Sequence, residues 1–170
     1  MELTREQRFD DLLAEVHAPL VRYLRRRTPD ADDVLSETLA VLWRRLDAVP
    51  AERLPWAYGV ARLCLTNHQR AEQRRFRLVR RLALEPEAPP PAEDPALAEA
   101  LAGLAEADQE VLRLWAWEQL PPREIAVVLA ITPNAASIRL HRATSKLRSA
   151  LLGKDPGAAG QEQVREEATP

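Results

Sequence analysis

The chain has 170 residues, 46% of them hydrophobic, with 24 Lys and Arg against 26 Asp and Glu for a net charge of −2. That length suits one ordinary domain or two small ones, and no apolar run approaches a membrane span, so no membrane insertion is expected. A lone cysteine (Cys64) excludes an internal disulfide, no Cys/His cluster has metal-ligand spacing, and the charged start MELTREQRFD is no secretory signal, so a cytoplasmic location is expected.

The first predicted helix places Phe9, Leu12, Leu13, Val16, Leu20 and Leu24 on one stripe and ends at Arg25-Arg26-Arg27, where cations complement the helix dipole. Thr28 is the expected N-cap of a second helix, with Pro29 at its first position. There Ala31, Val34, Leu35, Thr38, Val41, Leu42 and Leu46 share a face. The outer face carries Asp33, Ser36, Glu37, Ala40 and Arg44, flanked by Leu39 and Trp43, which we expect to be exposed. Capping explains the acids; an exposed apolar pair beside them suits a protein-binding surface. After turn signals at 47–55, a third helix is expected from about Trp56 to near Arg81. Residues 62–81 hold seven arginines against one acid, Glu72, so phosphate contact is the leading reading. Trp56 and Tyr58 precede that run; stacking on unpaired bases and core packing are both open to them.

Residues 85–95 (EPEAPPPAEDP) contain five prolines and four acids and read as a semi-rigid linker. The wider stretch 85–110 holds eight acids and no base, whereas 111–153 holds six bases and two acids. Such segregation points to a nucleic-acid partner. Helices are expected at 97–104, 108–118, 122–130 and 133–152, and a polar, disordered tail after Gly153. In the last helix Ala136, Leu140, Ala143, Leu147 and Leu151 define a buried side, leaving Asn134, Ile138, His141, Arg142 and Ser145 opposite. A short helix, a tight turn at Ile131-Thr132 and a second helix with an outward polar and basic face form a helix-turn-helix pattern. Arg suits a guanine edge or a phosphate, and Asn suits adenine. A plain helical hairpin would share this pattern. Little β-branched clustering supports an all-α fold.

In order and spacing these segments resemble the bacterial RNA polymerase sigma factors of the extracytoplasmic-function type, across about residues 8–152. DADDVLSETLAVLW (30–43) is similar to the family's region 2.2, PWAYGVARLCLTNHQR (55–70) to regions 2.3–2.4, and residues 106–151 to region 4. The resemblance implies two small helical domains, region 2 over 1–84 and region 4 over 96–152, joined by the linker 85–95 and followed by the tail 153–170. It implies core-polymerase binding by Asp33, Ser36, Glu37, Leu39, Ala40 and Trp43, on the β′ clamp helices, with the β flap as a second contact. It implies −10 contacts by Trp56, Arg62, Thr66, Asn67, Arg70 and Arg74, and −35 contacts by Arg123, Asn134, Ser137, Ile138, His141 and Arg142. Promoter DNA and an anti-sigma factor are the other implied partners; no catalytic residue, metal, cofactor or obligate homo-oligomer is implied. Departures from the family pattern are Ser36 where Gln is usual, Leu63 and Asn67 where Asn and Asp are common, and Asn134-Ala135-Ala136 where Gly-Thr-Val is frequent. The alternative is a dimeric helix-turn-helix regulator that works without polymerase; an enzyme or a simple polymerase adaptor has less support.

Overall fold

The computed structural model describes residues 3–79 and 94–153, with the side chains of 76–79 left aside. Residues 80–93, which hold most of the expected linker 85–95, and the tail from 154 lie outside the described residues; Asp94 and Pro95, the last two linker positions, instead begin a helix. Among those described, the chain is all helical: α1 (Arg5–Arg25), α2 (Ala31–Arg44), a 3-10 turn (Leu46–Ala48), α3 (Arg53–Val79), α4 (Pro95–Ala102), α5 (Glu106–Ala116), α6 (Pro122–Leu129) and α7 (Pro133–Leu152).

Helices α1, α2 and α3 pack mutually into the first bundle. The expected stripe on α1 is largely the buried one: Leu12, Val16, Leu20 and Leu24 are inside, joined by Tyr23. A capping box starts α1, with the Thr4 hydroxyl accepting from the Gln7 amide and the Gln7 side chain accepting from the Thr4 amide. Arg5 and Arg8 of α1 grip Asp47 in the 3-10 turn at 3.1 and 2.9 Å. The hydrogen bond from Arg8, then the charge of Arg5, hold the Asp47 carboxyl below its ordinary range.

Two expectations on α2 need correction. Helix α2 begins at Ala31, not Pro29; Asp30 is its N-cap, without a side-chain cap bond. The Thr28 hydroxyl instead accepts from the Asp30 amide at 3.2 Å, which closes a turn ahead of the helix. Leu39 and Trp43 are half-buried rather than exposed. Phe9 meets the Trp43 ring edge-on at 5.1 Å, and the Arg5 guanidinium lies 5.1 Å from its centroid. Trp43 therefore spends much of its apolar area fastening α2 to α1.

Helix α3 starts three residues before the expected Trp56. In the C-terminal half the expected helices are all present, with boundaries moved by about a turn or less. Asp94 caps α4 by accepting from the Leu97 amide, and Pro95 occupies the first turn. Lys146 of α7 reaches Asp108 of α5 at 2.6 Å and ties these two helices together.

The two halves pack on one another. Helix α3 runs against α6, and a side chain added at Gly59 would meet the Val128 backbone at 3.5 and 3.7 Å. Glycine here permits backbone-to-backbone approach of helices from opposite halves. One hydrophobic cluster runs through the contact, from Leu12, Tyr23 and Tyr58 to Leu114, Ile125, Val128 and Ala136.

Candidate nucleic-acid interface

The outward face of α7 is built by its own first turn. Ala130 ends α6 in the left-handed region (φ 52°), and the Ile131 amide closes back on the Ala126 carbonyl at 3.0 Å. This reverses the chain within three residues. Thr132 then caps α7, its hydroxyl accepting from the Ala135 amide at 3.2 Å, and Pro133 opens the helix. Ala136 and Ala143 are fully buried beneath α7, and Leu140, Leu147 and Leu151 are half-buried on the same side. The opposite side presents Asn134, Ser137, Ile138, His141 and Arg142, all exposed, with Arg123 exposed at the start of α6. Ser137 has turned its hydroxyl back to donate to the Pro133 carbonyl at 3.0 Å, which leaves its oxygen as an acceptor. No acid lies in the first turn of α7, so its partial positive end is uncompensated.

Arg62, Thr66 and Arg70 recur every four residues along α3 and line one cleft of about 520 Å³. Arg26, Arg27 and Tyr23 from the end of α1 and Glu106, Glu110 and Arg113 from α5 complete its wall. Thr66 donates its hydroxyl to the Arg62 carbonyl at 2.8 Å. Three other expected −10 residues lie elsewhere. Asn67 and Arg74 are exposed outside the cleft, and Trp56 is half-buried against the core. Tyr58 is buried, which settles its alternatives in favour of packing.

On α2, Asp33, Ser36, Glu37 and Ala40 form one exposed face. Ser36 donates to the Asp32 carbonyl at 2.9 Å, so this face presents acceptors: the Asp33 and Glu37 carboxylates and the Ser36 oxygen. The acidic and the basic surfaces occupy different helices.

Sequence reasoning missed the groups that join the halves. Arg27 lies beyond α1 and is buried, not an exposed partner of the helix dipole: its side chain is 6% exposed and pairs at 3.0 Å with Glu118, itself 3% exposed. Arg27 also stacks on Tyr23, 3.7 Å from the ring centroid, and lies 3.5 Å from Glu110. Tyr23 donates to Glu110 at 3.2 Å and Tyr58 to Glu118 at 3.5 Å. Burial, then the neighbouring carboxylate, pushes both phenols up, Tyr58 to about 12. One sequence signal was available: Glu118 is one of only two acids between 111 and 153. No cluster of three metal-ligating side chains occurs among the described residues, and no described helix is long and apolar enough to cross a membrane.

The fold and surfaces define a two-part helical protein with a helix-turn-helix in its second part. The family described as sigma-70, region 4 matches residues 95–147. RNA polymerase sigma-E factor of Streptomyces coelicolor (strain ATCC BAA-471 / A3(2) / M145) is 29% identical, spanning 94% of each chain. The protein of that name from Streptomyces avermitilis is also 29% identical, over 94% of this chain and 93% of its own. The fold is similar to that in the structure of the sigma factor RpoE with the anti-sigma factor NepR from Bartonella quintana. That match has a TM-score of 0.64 and 20% identity, over 86% of this chain and 98% of the other. CnrH with the cytosolic domain of CnrY gives a TM-score of 0.58 and 23% identity, over 86% and 89%. Residues 95–147 thus match region 4 of the sigma-70 family, and the chain as a whole is similar to RNA polymerase sigma-E factors.

Proposed function

We propose that this chain is a promoter-specificity subunit that joins core RNA polymerase, directs it to particular promoters and assists opening at the −10 element. The observation that carries this reading is the helix-turn-helix of α6 and α7, which presents an exposed polar and basic face within the region 4 match. Helix α7 would enter the −35 major groove, with Arg142, His141 and Asn134 toward base edges or phosphates, Arg123 toward the backbone, and Ile138 against a thymine methyl. Arg62 and Arg70 would hold the −10 strand by its phosphates, and capture of an unstacked base offsets the cost of unpairing. Asp33, Ser36, Glu37 and Ala40 supply a face that DNA is repelled from, which suits the polymerase clamp; Leu39 and Trp43 support that face from beneath. Two weak DNA contacts on one chain gain from effective concentration.

The role needs no catalytic group or cofactor of its own and would be exercised in the cytoplasm. The similar structure of the sigma factor RpoE is a complex with the anti-sigma factor NepR, which supports a regulatory partner of that class here. The relatives favour this reading over a dimeric regulator, because proteins named sigma-E factors match over 94% of the chain. In vitro transcription with core polymerase and a promoter library is the test. Start sites that depend on the added chain are expected, and their absence sinks the proposal. Asp33→Lys with Glu37→Lys should lower core-polymerase affinity by at least tenfold while far-UV circular dichroism is unchanged.

A further inference from the structure

We infer that the cleft lined by α3, the end of α1 and α5 is a binding site for a nucleoside polyphosphate, whose phosphate chain is held by Arg62, Arg70 and Arg113. Arg62 and Arg70 come from α3 and Arg113 from α5, and all three line the same space of about 520 Å³. That volume lies within the range of small-ligand sites. None of the three makes an ion pair among the described residues, and Arg113 donates to the neutral Gln109 Oε1 at 2.7 Å. The two carboxylates in the wall are already engaged. Glu110 accepts from Tyr23 at 3.2 Å and lies 3.5 Å from Arg27. Glu106 sits in the first turn of α5, where the helix dipole offsets its charge. Arg26 and Arg27 have Glu118 as partner, at 3.5 and 3.0 Å. The positive charge left over in the cleft therefore belongs to Arg62, Arg70 and Arg113.

Two further observations point to a nucleotide. Arg27 lines the cleft with its side chain 6% exposed, and its Nε and Nη2 reach no hydrogen-bond acceptor. An anion lodged in the cleft compensates that buried charge at a range where protein screens less than bulk water. Gln69 and Gln73, one turn apart on α3, line the same cleft with exposed amides that each donate and accept. They offer the paired donors and acceptors that a base edge requires. The guanidinium fork in turn matches phosphate oxygens two at a time. Guanidiniums gathered from two helices into one compartment suit the dense charge of a triphosphate, whereas a nucleic-acid strand spreads its charge along an extended track. Arg62 and Arg70 are also the side chains proposed to hold the −10 strand, so this ligand would compete with that strand. The site itself does not depend on that reading.

The test is calorimetric titration of the full chain with GTP, ATP and sodium tripolyphosphate at matched ionic strength, paired with thermal unfolding. One site per chain is expected, with a nucleotide bound more tightly than tripolyphosphate and a melting temperature that rises with ligand concentration. Arg62→Gln with Arg70→Gln should weaken binding by about tenfold or more, because charge-assisted contacts carry the affinity. Arg113→Gln reads the same site from another helix and should weaken it severalfold. Arg74→Gln with Arg75→Gln removes equal charge from exposed positions of α3 outside the cleft and should change binding by less than about twofold. Far-UV circular dichroism of each ligand-free variant is the folding control. Absence of saturable binding to wild type overturns the inference. An equal loss in the Arg74 and Arg75 variant does so as well, since it would mark a basic helix and no site. Tripolyphosphate bound as tightly as both nucleotides overturns the assignment of a nucleoside. A short single strand that binds through Arg62 and Arg70, while no nucleotide or tripolyphosphate does, overturns the inference and leaves the −10 reading standing.

Discussion

Thr28-Pro29 and Thr132-Pro133 are the same dipeptide ahead of two helices, and the structure uses them differently. At 132 the hydroxyl caps the helix and the proline opens it. At 28 the hydroxyl closes a turn, and the helix waits until Ala31. The difference comes from what precedes each. Before Thr132 the chain leaves α6 through a left-handed Ala130 and has only to reverse. Before Thr28 the chain must also deliver Arg27 into the buried junction, and the Arg27 and Thr28 amides both fold back on Leu24 at 2.9 and 3.0 Å. A local cap competes with a tertiary anchor there, and the anchor wins. The first turns that follow differ in charge as well: Asp32 and Asp33 in α2, no acid in α7.

The comparison can be broken in four ways. Arg27→Ala should have the largest effect, because it strips a buried Glu118 of its closer partner. A loss of about 3 kcal/mol is expected by urea unfolding, at the low end of the range for broken buried pairs since Arg26 remains. Alkaline titration probes the same anchor. Tyr23 and Tyr58 keep their protons in the folded chain above the usual phenol value of 10.0, while the unfolded chain releases them there. Stability from these two groups is therefore complete below pH 10 and falls as pH rises beyond it; Tyr23→Phe should flatten that fall.

Thr132→Ala should cost about 1 kcal/mol, the usual worth of a cap, and Thr28→Ala less than half as much. Equal losses would mean that the two hydroxyls do the same work after all. The smallest effect on folding is expected from Asn134→Asp. An acid near the N-terminus of α7 should leave stability unchanged or slightly improved, yet weaken −35 DNA binding several-fold at low salt by repelling phosphate. Unchanged binding in an electrophoretic mobility assay would reduce the contrast between the two helix starts to capping chemistry.

Much of this protein follows from sequence alone, and for one reason: helix periodicity, caps and prolines act within a few residues of chain. The all-α class, the α6–α7 turn with its exposed face, and the acidic outer face of α2 are all of that kind. Arg62, Thr66 and Arg70 could be placed on one face by their spacing. Asn67, Arg74 and Trp56 could not be separated from them by composition, because only the packing of α3 decides which side meets the cleft. Trp43 was misjudged for the same reason: an aromatic on an outer face looks exposed until Phe9 and Arg5 of another helix cover it. The junction of Arg27, Tyr23, Glu110 and Glu118 was least legible. Its members lie up to 95 positions apart in the chain, and each has an adequate local explanation as a dipole partner, a core aromatic or a surface acid. Burial of paired charges depends on which surfaces meet, and no local pattern encodes that meeting.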